Sequence, residues 1–206
     1  MKKFTVFVFV MVLTNVPISC NFGCGPFTPL EARITDLSAS VGTLDSSSDF
    51  STVKSTDFNT VAIEVMISNM DYSEMAAIEK RINFSFLNVA FACSPPEPQP
   101  TQTIESIELF SNESIFTNDG KFEAGESLNE LFNVTKYSVN IETISIAEYI
   151  EVQQEYLEHF AYFGDNIVFQ LKEKPDSIIN QTIFIEFEFS NEESISVETD
   201  LFEVSN

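Results

Sequence analysis

Alternation of apolar and polar residues is the feature that most constrains the fold of this 206-residue chain. It is clearest at residues 182–189, where one side of the alternation carries Ile183, Ile185, Phe187 and Phe189 and the other Phe184, Glu186 and Glu188. Successive side chains of a strand point to opposite faces, so this period of two predicts a strand with one buried face. The glutamates on the other side favour an antiparallel sheet with one face in solvent.

The same alternation recurs along the chain. It predicts further strands at residues 61–67, 83–93, 104–110, 137–141, 166–171 and 194–198. Ser145 and Glu148 form a capping-box pattern, and the helical spacing of apolar residues behind it predicts a helix near 145–162. A shorter capped helix is predicted at 71–80. Together these elements predict an all-β fold, an antiparallel immunoglobulin-like β-sandwich with one α-helix.

A proline-rich segment at residues 94–100 is the clearest break in the pattern. Proline cannot donate ladder hydrogen bonds, so the segment is predicted to be extended and polyproline-like. We interpret it as a crossover inside a single sandwich domain at 30–206, because residues 30–93 offer too few strands to close a core alone. The alternative is a linker between two domains.

The N-terminus has the pattern of an export signal. Lys2 and Lys3 precede an apolar run at residues 4–13, which is too short to cross a bilayer as a helix, and the small Ser19 precedes Cys20. This predicts a signal peptide at 1–19, a lipoprotein processing site at Cys20 and a short tether at 20–29. Acyl chains on Cys20 would then attach the protein to a membrane.

Composition restricts the possible partners. Removal of residues 1–19 takes away two lysines and no acidic residue, so the processed chain has 8 basic and 32 acidic residues and a formal charge of −24. Such a charge repels nucleic acid and anionic lipid headgroups, so no nucleic-acid partner is expected. An apolar fraction of 44% is far above that of a disordered acidic chain.

Two further cysteines, Cys24 and Cys93, form an even pair if Cys20 is acylated. Disulfides persist in exported proteins, so a Cys24–Cys93 bond is one prediction, worth roughly 4 kcal/mol on the chain-entropy model. The alternative is two unpaired thiols.

Several segments carry a resemblance to a known family. They are Cys20 with Cys24-Gly25, residues 34–37, 90–95 and 107–111, and above all Ala124-Gly125-Glu126-Ser127-Leu128-Asn129-Glu130-Leu131-Phe132. The chain resembles a family of small lipoproteins of unknown function from Bacteroidota. The resemblance implies an exported, lipid-anchored β-sandwich with no established activity. No acidic cluster follows Cys20 directly, which favours the periplasmic side of the outer membrane over the cell surface. Asp176-Ser177-Ile178 fits the short acceptor pattern for O-glycosylation in such proteins, which makes Ser177 a candidate site.

Sequence motifs of catalysis are absent. His159 is the single histidine, which excludes HExxH metalloproteases and two-histidine mechanisms. Glu155 and His159 are spaced i, i+4, which we interpret as a solvated contact on a helix face. Asn118-Asp119-Gly120 near Glu123 resembles part of a calcium loop, but a tight turn between strands is the better interpretation. We therefore expect no catalytic residue, no metal site and no cofactor.

These observations favour a lipid-anchored envelope protein with a non-enzymatic interaction or structural role and an unknown protein partner. One alternative, drawn from the negative charge, is an acidic calcium-dependent binding or adhesion module. A lower alternative is a carboxylate-based hydrolase, which would need two acids with opposed pKa shifts in one cleft.

Overall fold

The computed structural model describes residues 30–45, 49–74, 98–117, 120–136, 142–155 and 166–205. Contacts divide these residues into two compact units. Residues 32–71 and 100–205 belong to the larger unit, and residues 30–31, 72–74 and 98–99 belong to the smaller one. The larger unit contains the hydrophobic core.

Strands dominate the described residues. They are β1 (Leu30–Leu44), β2 (Phe50–Ser51), β3 (Val61–Glu74), β4 (Gln99–Pro100), β5 (Ile104–Ser111), β6 (Ile115–Thr117), β7 (Gly120–Phe122), β8 (Phe132–Lys136), β9 (Glu142–Ser145), β10 (Asn166–Leu171), β11 (Ile179–Gln181), β12 (Ile183–Phe189), β13 (Ser194–Glu198) and β14 (Phe202–Val204). A short 3₁₀ helix (Asn129–Leu131) precedes β8, and α1 (Ile146–Glu155) follows β9. The all-β prediction is confirmed.

The strands form antiparallel sheets. One has seven strands in the order β2-β1-β3-β10-β8-β9, with β4 paired to β1. A second has three strands in the order β13-β12-β5, and β6–β7 and β11–β14 form two-stranded sheets. Antiparallel register is found in β12–β5, β12–β13, β3–β10 and β10–β8.

One core lies between the inner faces of the two larger sheets. Ile63 and Phe169 enter it from the seven-stranded sheet, and Leu109, Ile185 and Phe187 from the three-stranded sheet; all five side chains are fully buried. Burial of each such side chain contributes about 1.5–3 kcal/mol. The period of two along β12 is therefore the pattern of a strand that faces this core on one side.

Strand β3 differs from the prediction of a half-buried strand. Val61, Ile63 and Val65 are buried as expected, but Ala62 and Glu64 on the opposite face are buried as well. Ala62 belongs to a second apolar cluster with Leu44 and Val168, and the Glu64 carboxylate accepts a hydrogen bond of 2.6 Å from Asn166 Nδ2. The first half of β3 is thus covered on both faces, which alternation alone did not indicate.

Helix α1 begins where the sequence predicts. Ser145 Oγ accepts a hydrogen bond of 3.2 Å from the backbone N–H of Glu148, which is an N-cap contact. Ile146 and Tyr149 are buried where α1 packs against β5 and β8, and burial raises the pKa of the Tyr149 phenol. The described helix ends at Glu155, and the remainder of the predicted 145–162 segment lies outside the described residues.

The predicted helix at 71–80 is wrong over its first turn. Strand β3 continues to Glu74, and Ser73 Oγ donates a hydrogen bond to Glu31 of β1 at 3.5 Å. Pairing with a neighbouring strand outweighs the local capping pattern there. The predicted strands at 83–93 and 137–141 and most of the proline-rich segment lie outside the described residues, whereas the strand at 132–136 was not predicted.

Candidate functional site

The outer side of the three-stranded sheet is the most distinctive surface in the described part of the chain. Alternation along each strand directs nine side chains outward in three cross-strand rows. The rows are Ser194–Glu188–Ser106, Ser196–Glu186–Glu108 and Glu198–Phe184–Phe110. None of these nine positions carries a lysine or arginine, and we call this surface the acidic face.

Two glutamates of the acidic face lie directly opposite each other. Glu186 of β12 pairs with Glu108 of β5 in the antiparallel register. Like charges directly opposite each other on neighbouring strands destabilise a sheet. The opposed pair is therefore an arrangement that stability alone does not favour.

Serine hydroxyls hold two of the carboxylates in place. Ser127 Oγ donates a hydrogen bond of 2.6 Å to Glu108 Oε2, and Ser106 Oγ donates one of 2.8 Å to Glu188 Oε2. These bonds orient the carboxylates, while no side chain among the described residues donates a hydrogen bond to Glu186. The carboxylates of Glu108 and Glu188 are thus held in place, and no basic residue among the nine positions of this face neutralises their charge.

Two aromatic rings extend the acidic face at one end. The rings of Phe110 and Phe184 stack with centroids 5.4 Å apart and planes 12° apart. Both side chains are half-buried and lie beside the exposed Glu198 in the same cross-strand row. The face thus combines apolar contact area with four carboxylates.

The edge of this sheet at β5 is closed by the chain itself. The Asn129 side chain accepts a hydrogen bond of 2.9 Å from Leu109 N and donates one of 2.6 Å to Ile107 O. Leu128 N adds a bond of 2.7 Å to Leu109 O. The carboxamide of Asn129 therefore substitutes for a neighbouring peptide group at the edge of β5.

A separate pocket of roughly 460 Å³, including the space open to solvent, lies between the end of β10 and the β6–β7 hairpin. Its lining is Thr117, Glu130, Leu131, Leu171, Lys172, Glu173, Lys174, Pro175 and Ile179. Two lysines and two glutamates balance each other in charge, so this pocket selects neither anions nor cations by its net charge.

The residues predicted to be modified are placed as follows. Cys20, Cys24, Cys93 and His159 lie outside the described residues. Ser177 lies in the connection between β10 and β11, half-buried between exposed Asp176 and Ile178, whose side chain is 69% exposed. The candidate glycosylation site therefore belongs to an exposed connection.

The region that resembles a calcium loop joins two paired antiparallel strands, β6 and β7. Thr117 of β6 pairs with Gly120 of β7, so the connection is two residues long, and Gly120 has φ 147°. Glu123 accepts hydrogen bonds of 2.9 Å from Lys121 Nζ and 3.0 Å from Ser114 Oγ, and these bonds lower the pKa of its carboxyl. The pairing of β6 with β7 supports the interpretation as a connection between strands, and Asn118 and Asp119 themselves lie outside the described residues. In the described ranges, no group of three or more His, Cys, Asp or Glu side chains is arranged to hold a metal ion.

The chain matches no protein-family model, no curated protein and no solved structure. No helix within the part of the chain that the structure describes is long and apolar enough to cross a membrane. Sequence reasoning identified Glu186 and Glu188 as solvent-facing. It missed the acidic face, because the register that brings Glu108 beside Glu186 has no local signature.

Proposed function

We propose that this protein is an exported, lipid-anchored and non-enzymatic envelope protein whose acidic face binds a cationic partner. The observation that carries the proposal is the outer side of β13-β12-β5, with four carboxylates, two stacked phenyl rings and no basic residue. An open, charged sheet surface with an aromatic end is suited to recognition of another macromolecule rather than to enclosing a small substrate.

The opposed pair Glu108 and Glu186 supports a binding role. Repulsion between the pair lowers stability, and binding of a positive group relieves it. Residues that serve binding are often kept at a cost in stability. Complementary charge also accelerates association and selects against partners of the wrong sign.

The test uses the full processed chain, purified in a mild detergent, and hexalysine as the probe. Glu108→Gln combined with Glu186→Gln removes two charges from the acidic face. The matched control is Glu130→Gln with Glu203→Gln, which removes two charges from exposed positions elsewhere. Both variants have the same net charge, so a nonspecific effect of the acidic field would be equal in the two.

We expect the acidic-face variant to bind hexalysine about fivefold more weakly than the control, with a reduced dependence on salt. The same variant should unfold at higher temperature, since it loses the repulsion between two opposed carboxylates. Loss of binding with a gain in stability cannot come from damage to the fold. Equal affinities of the two variants would contradict the proposed function.

The proposal of a lipid anchor is based on the sequence around Cys20. Two or three acyl chains would hold the protein durably, since each buried CH₂ contributes roughly 0.8 kcal/mol and a second chain makes attachment stable. Cys20→Ala should move the protein from the membrane fraction to the soluble fraction and leave its circular dichroism spectrum unchanged. If the substituted protein stays with the membrane, Cys20 is not the anchor.

A further inference from the structure

We propose that strand β13 accepts an extended segment of a partner protein as an added antiparallel strand, with lysine or arginine at alternate positions. The inference rests on the proposed function, since it names the partner of the acidic face. It adds a binding edge, a register and a sequence pattern for that partner.

The ladder between β12 and β13 shows which backbone groups remain for a partner. Phe189 N donates to Glu193 O at 2.9 Å, and at the other end of the ladder Thr199 N donates to Ile183 O at 2.9 Å. Hydrogen-bonded pairs alternate along an antiparallel ladder, so between these ends the bonded residues of β13 are Ile195 and Val197. The N–H and C=O groups of Ser194, Ser196 and Glu198 therefore point away from β12.

The two edge strands of this sheet, β5 and β13, differ in whether other residues hydrogen-bond to their outer side. The β5 edge is closed by Leu128 and by the Asn129 carboxamide. Among the described residues, no strand pairs with the far side of β13. An edge with outward-facing donors and acceptors is a template for strand addition, in which backbone hydrogen bonds supply affinity and side chains supply specificity.

The outer rows of the sheet indicate the charge of the added strand. Adjacent strands lie about 4.8 Å apart, so the added strand, with β13 between it and β12, would lie two spacings or about 10 Å from β12. On β13, next to the added strand, positions 194 and 196 are small serines. On β12, Glu188 lies beside Ser194 and Glu186 lies beside Ser196. A lysine or arginine opposite Ser196 can extend across the serine to Glu186, and one opposite Ser194 can reach Glu188.

The inward-facing residues of β13 indicate which partner side chain should lie between the two basic residues. Ile195 is half-buried and packs against the core, and Val197 is 8% exposed. An aliphatic side chain between the basic residues would lie beside Ile195 and extend the inner apolar surface. The partner pattern is therefore basic, aliphatic, basic on an extended segment.

The experiment compares two capped heptapeptides with the full processed chain. One has alternating lysine and valine, and the other has the same sequence with N-methyl groups on the alternate backbone nitrogens that would bond to β13. We expect the methylated peptide to bind at least about tenfold more weakly, since each 1.4 kcal/mol of lost hydrogen bonding is a factor of ten.

Ser196→Pro tests the edge from the side of the protein. The backbone N–H of Ser196 points away from β12, and an edge strand tolerates proline at such a position. The variant should bind the alternating peptide about tenfold more weakly, and its affinity for hexalysine should be unchanged. Ser196→Lys provides a second variant without a backbone change, and it should also exclude the alternating peptide.

The outcomes separate the two proposals. If hexalysine binds the acidic face but neither N-methylation nor Ser196→Pro alters binding of the alternating peptide, strand addition is overturned and the proposed function stands. If neither peptide discriminates the acidic-face variant from its control, both fail. Sedimentation that shows a dimer abolished by Ser196→Pro would make the occupant of the edge a second copy and would also overturn the inference.

Discussion

Arg33 contacts both oxygens of the Glu193 carboxylate, although the two residues are 160 positions apart in the chain. Arg33 Nε donates to Glu193 Oε2 at 3.0 Å, and Nη2 pairs with Oε1. Gln102 Nε2 donates to the same carboxylate at 2.9 Å, and its Oε1 accepts from Ile34 N at 2.7 Å. This network joins β1 to the turn between β12 and β13.

Removal of this pair should reveal a measurable coupling. In a double-mutant cycle of Arg33→Gln and Glu193→Gln, we expect a coupling energy of about 0.5–1 kcal/mol, the upper part of the range for exposed pairs, because the contact is bidentate. Urea unfolding of the four proteins measures it. The Lys121–Glu123 pair is the control, since it joins neighbouring positions in one hairpin and should couple by no more than about 0.5 kcal/mol. Equal couplings would show that the long-range pair has no special role.

Gly42 is required by close packing of β1 against β2. A Cβ at this position would lie 2.1 Å from the carbonyl oxygen of Ser51 and 2.6 Å from the Phe50 ring. Gly42→Ala must therefore displace backbone, and we expect a loss of about 1–3 kcal/mol in the free energy of unfolding. Ser38→Ala on the same strand is the control, with an expected change within about 0.5 kcal/mol. Equal midpoints for the two variants in thermal denaturation would contradict this packing argument.

The sequence predicted elements best where one face of a strand meets water. In β12, the buried and solvent-facing sides alternate, so residues Ile183 to Phe189 were assigned correctly from their polarity. In β3 the polarity of Glu64 suggested solvent, but a second apolar cluster and Asn166 cover that side. Burial on the second face depends on the packing of distant segments, which local alternation does not record.

Long-range register was the second limit of prediction. The opposition of Glu108 and Glu186 follows from how β5 and β12 align over their whole length. Asn129 was part of a segment noted for its resemblance, but asparagine ordinarily indicates turns and caps, and its role at a strand edge depends on where β5 lies. The charge of the candidate site was therefore visible in the composition, whereas its location was not.

The Cys24–Cys93 disulfide remains a prediction, since both residues lie outside the described ranges. In freshly exported protein, thiol counting under denaturing, non-reducing conditions should find neither cysteine free. Reduction should lower the free energy of unfolding by roughly 4 kcal/mol on the chain-entropy model. A Cys24→Ser, Cys93→Ser double variant controls for other effects of the reductant and should not respond to it. Two reactive thiols in the exported protein would exclude the bond.

Asn129 should be sensitive to substitution because its carboxamide pairs with two backbone groups of β5. Asn129→Ala leaves Leu109 N and Ile107 O without these partners, and we expect a loss of about 1–3 kcal/mol. Glu130→Ala, at the exposed neighbouring position, is the control and should change stability by less than about 0.5 kcal/mol. A loss as small as that of the control would mean that water replaces the carboxamide.

Asn129→Asp adds a test with a defined dependence on pH. The substitution places a carboxylate oxygen next to Ile107 O, which raises the pKa of the introduced carboxyl above its unfolded value of about 3.9. The folded state then binds more protons than the unfolded state, so this contribution to stability falls as pH rises through that interval. The difference from the unsubstituted protein should therefore shrink toward acidic pH in urea titrations. A difference independent of pH would contradict the geometry.

Glu192 occupies a backbone conformation that favours glycine. Its φ is 64°, in the turn between β12 and β13 where Glu192 N donates to Phe189 O at 2.9 Å. A residue with a Cβ costs roughly 1–2 kcal/mol in this left-handed region, so Glu192→Gly should raise the free energy of unfolding by about 1 kcal/mol. Glu203→Gly, at an exposed position of extended strand β14, should lower it by about 0.5–1 kcal/mol. Opposite signs for the same substitution in differential scanning calorimetry would confirm the conformation of the turn, and a loss of stability at both positions would contradict it.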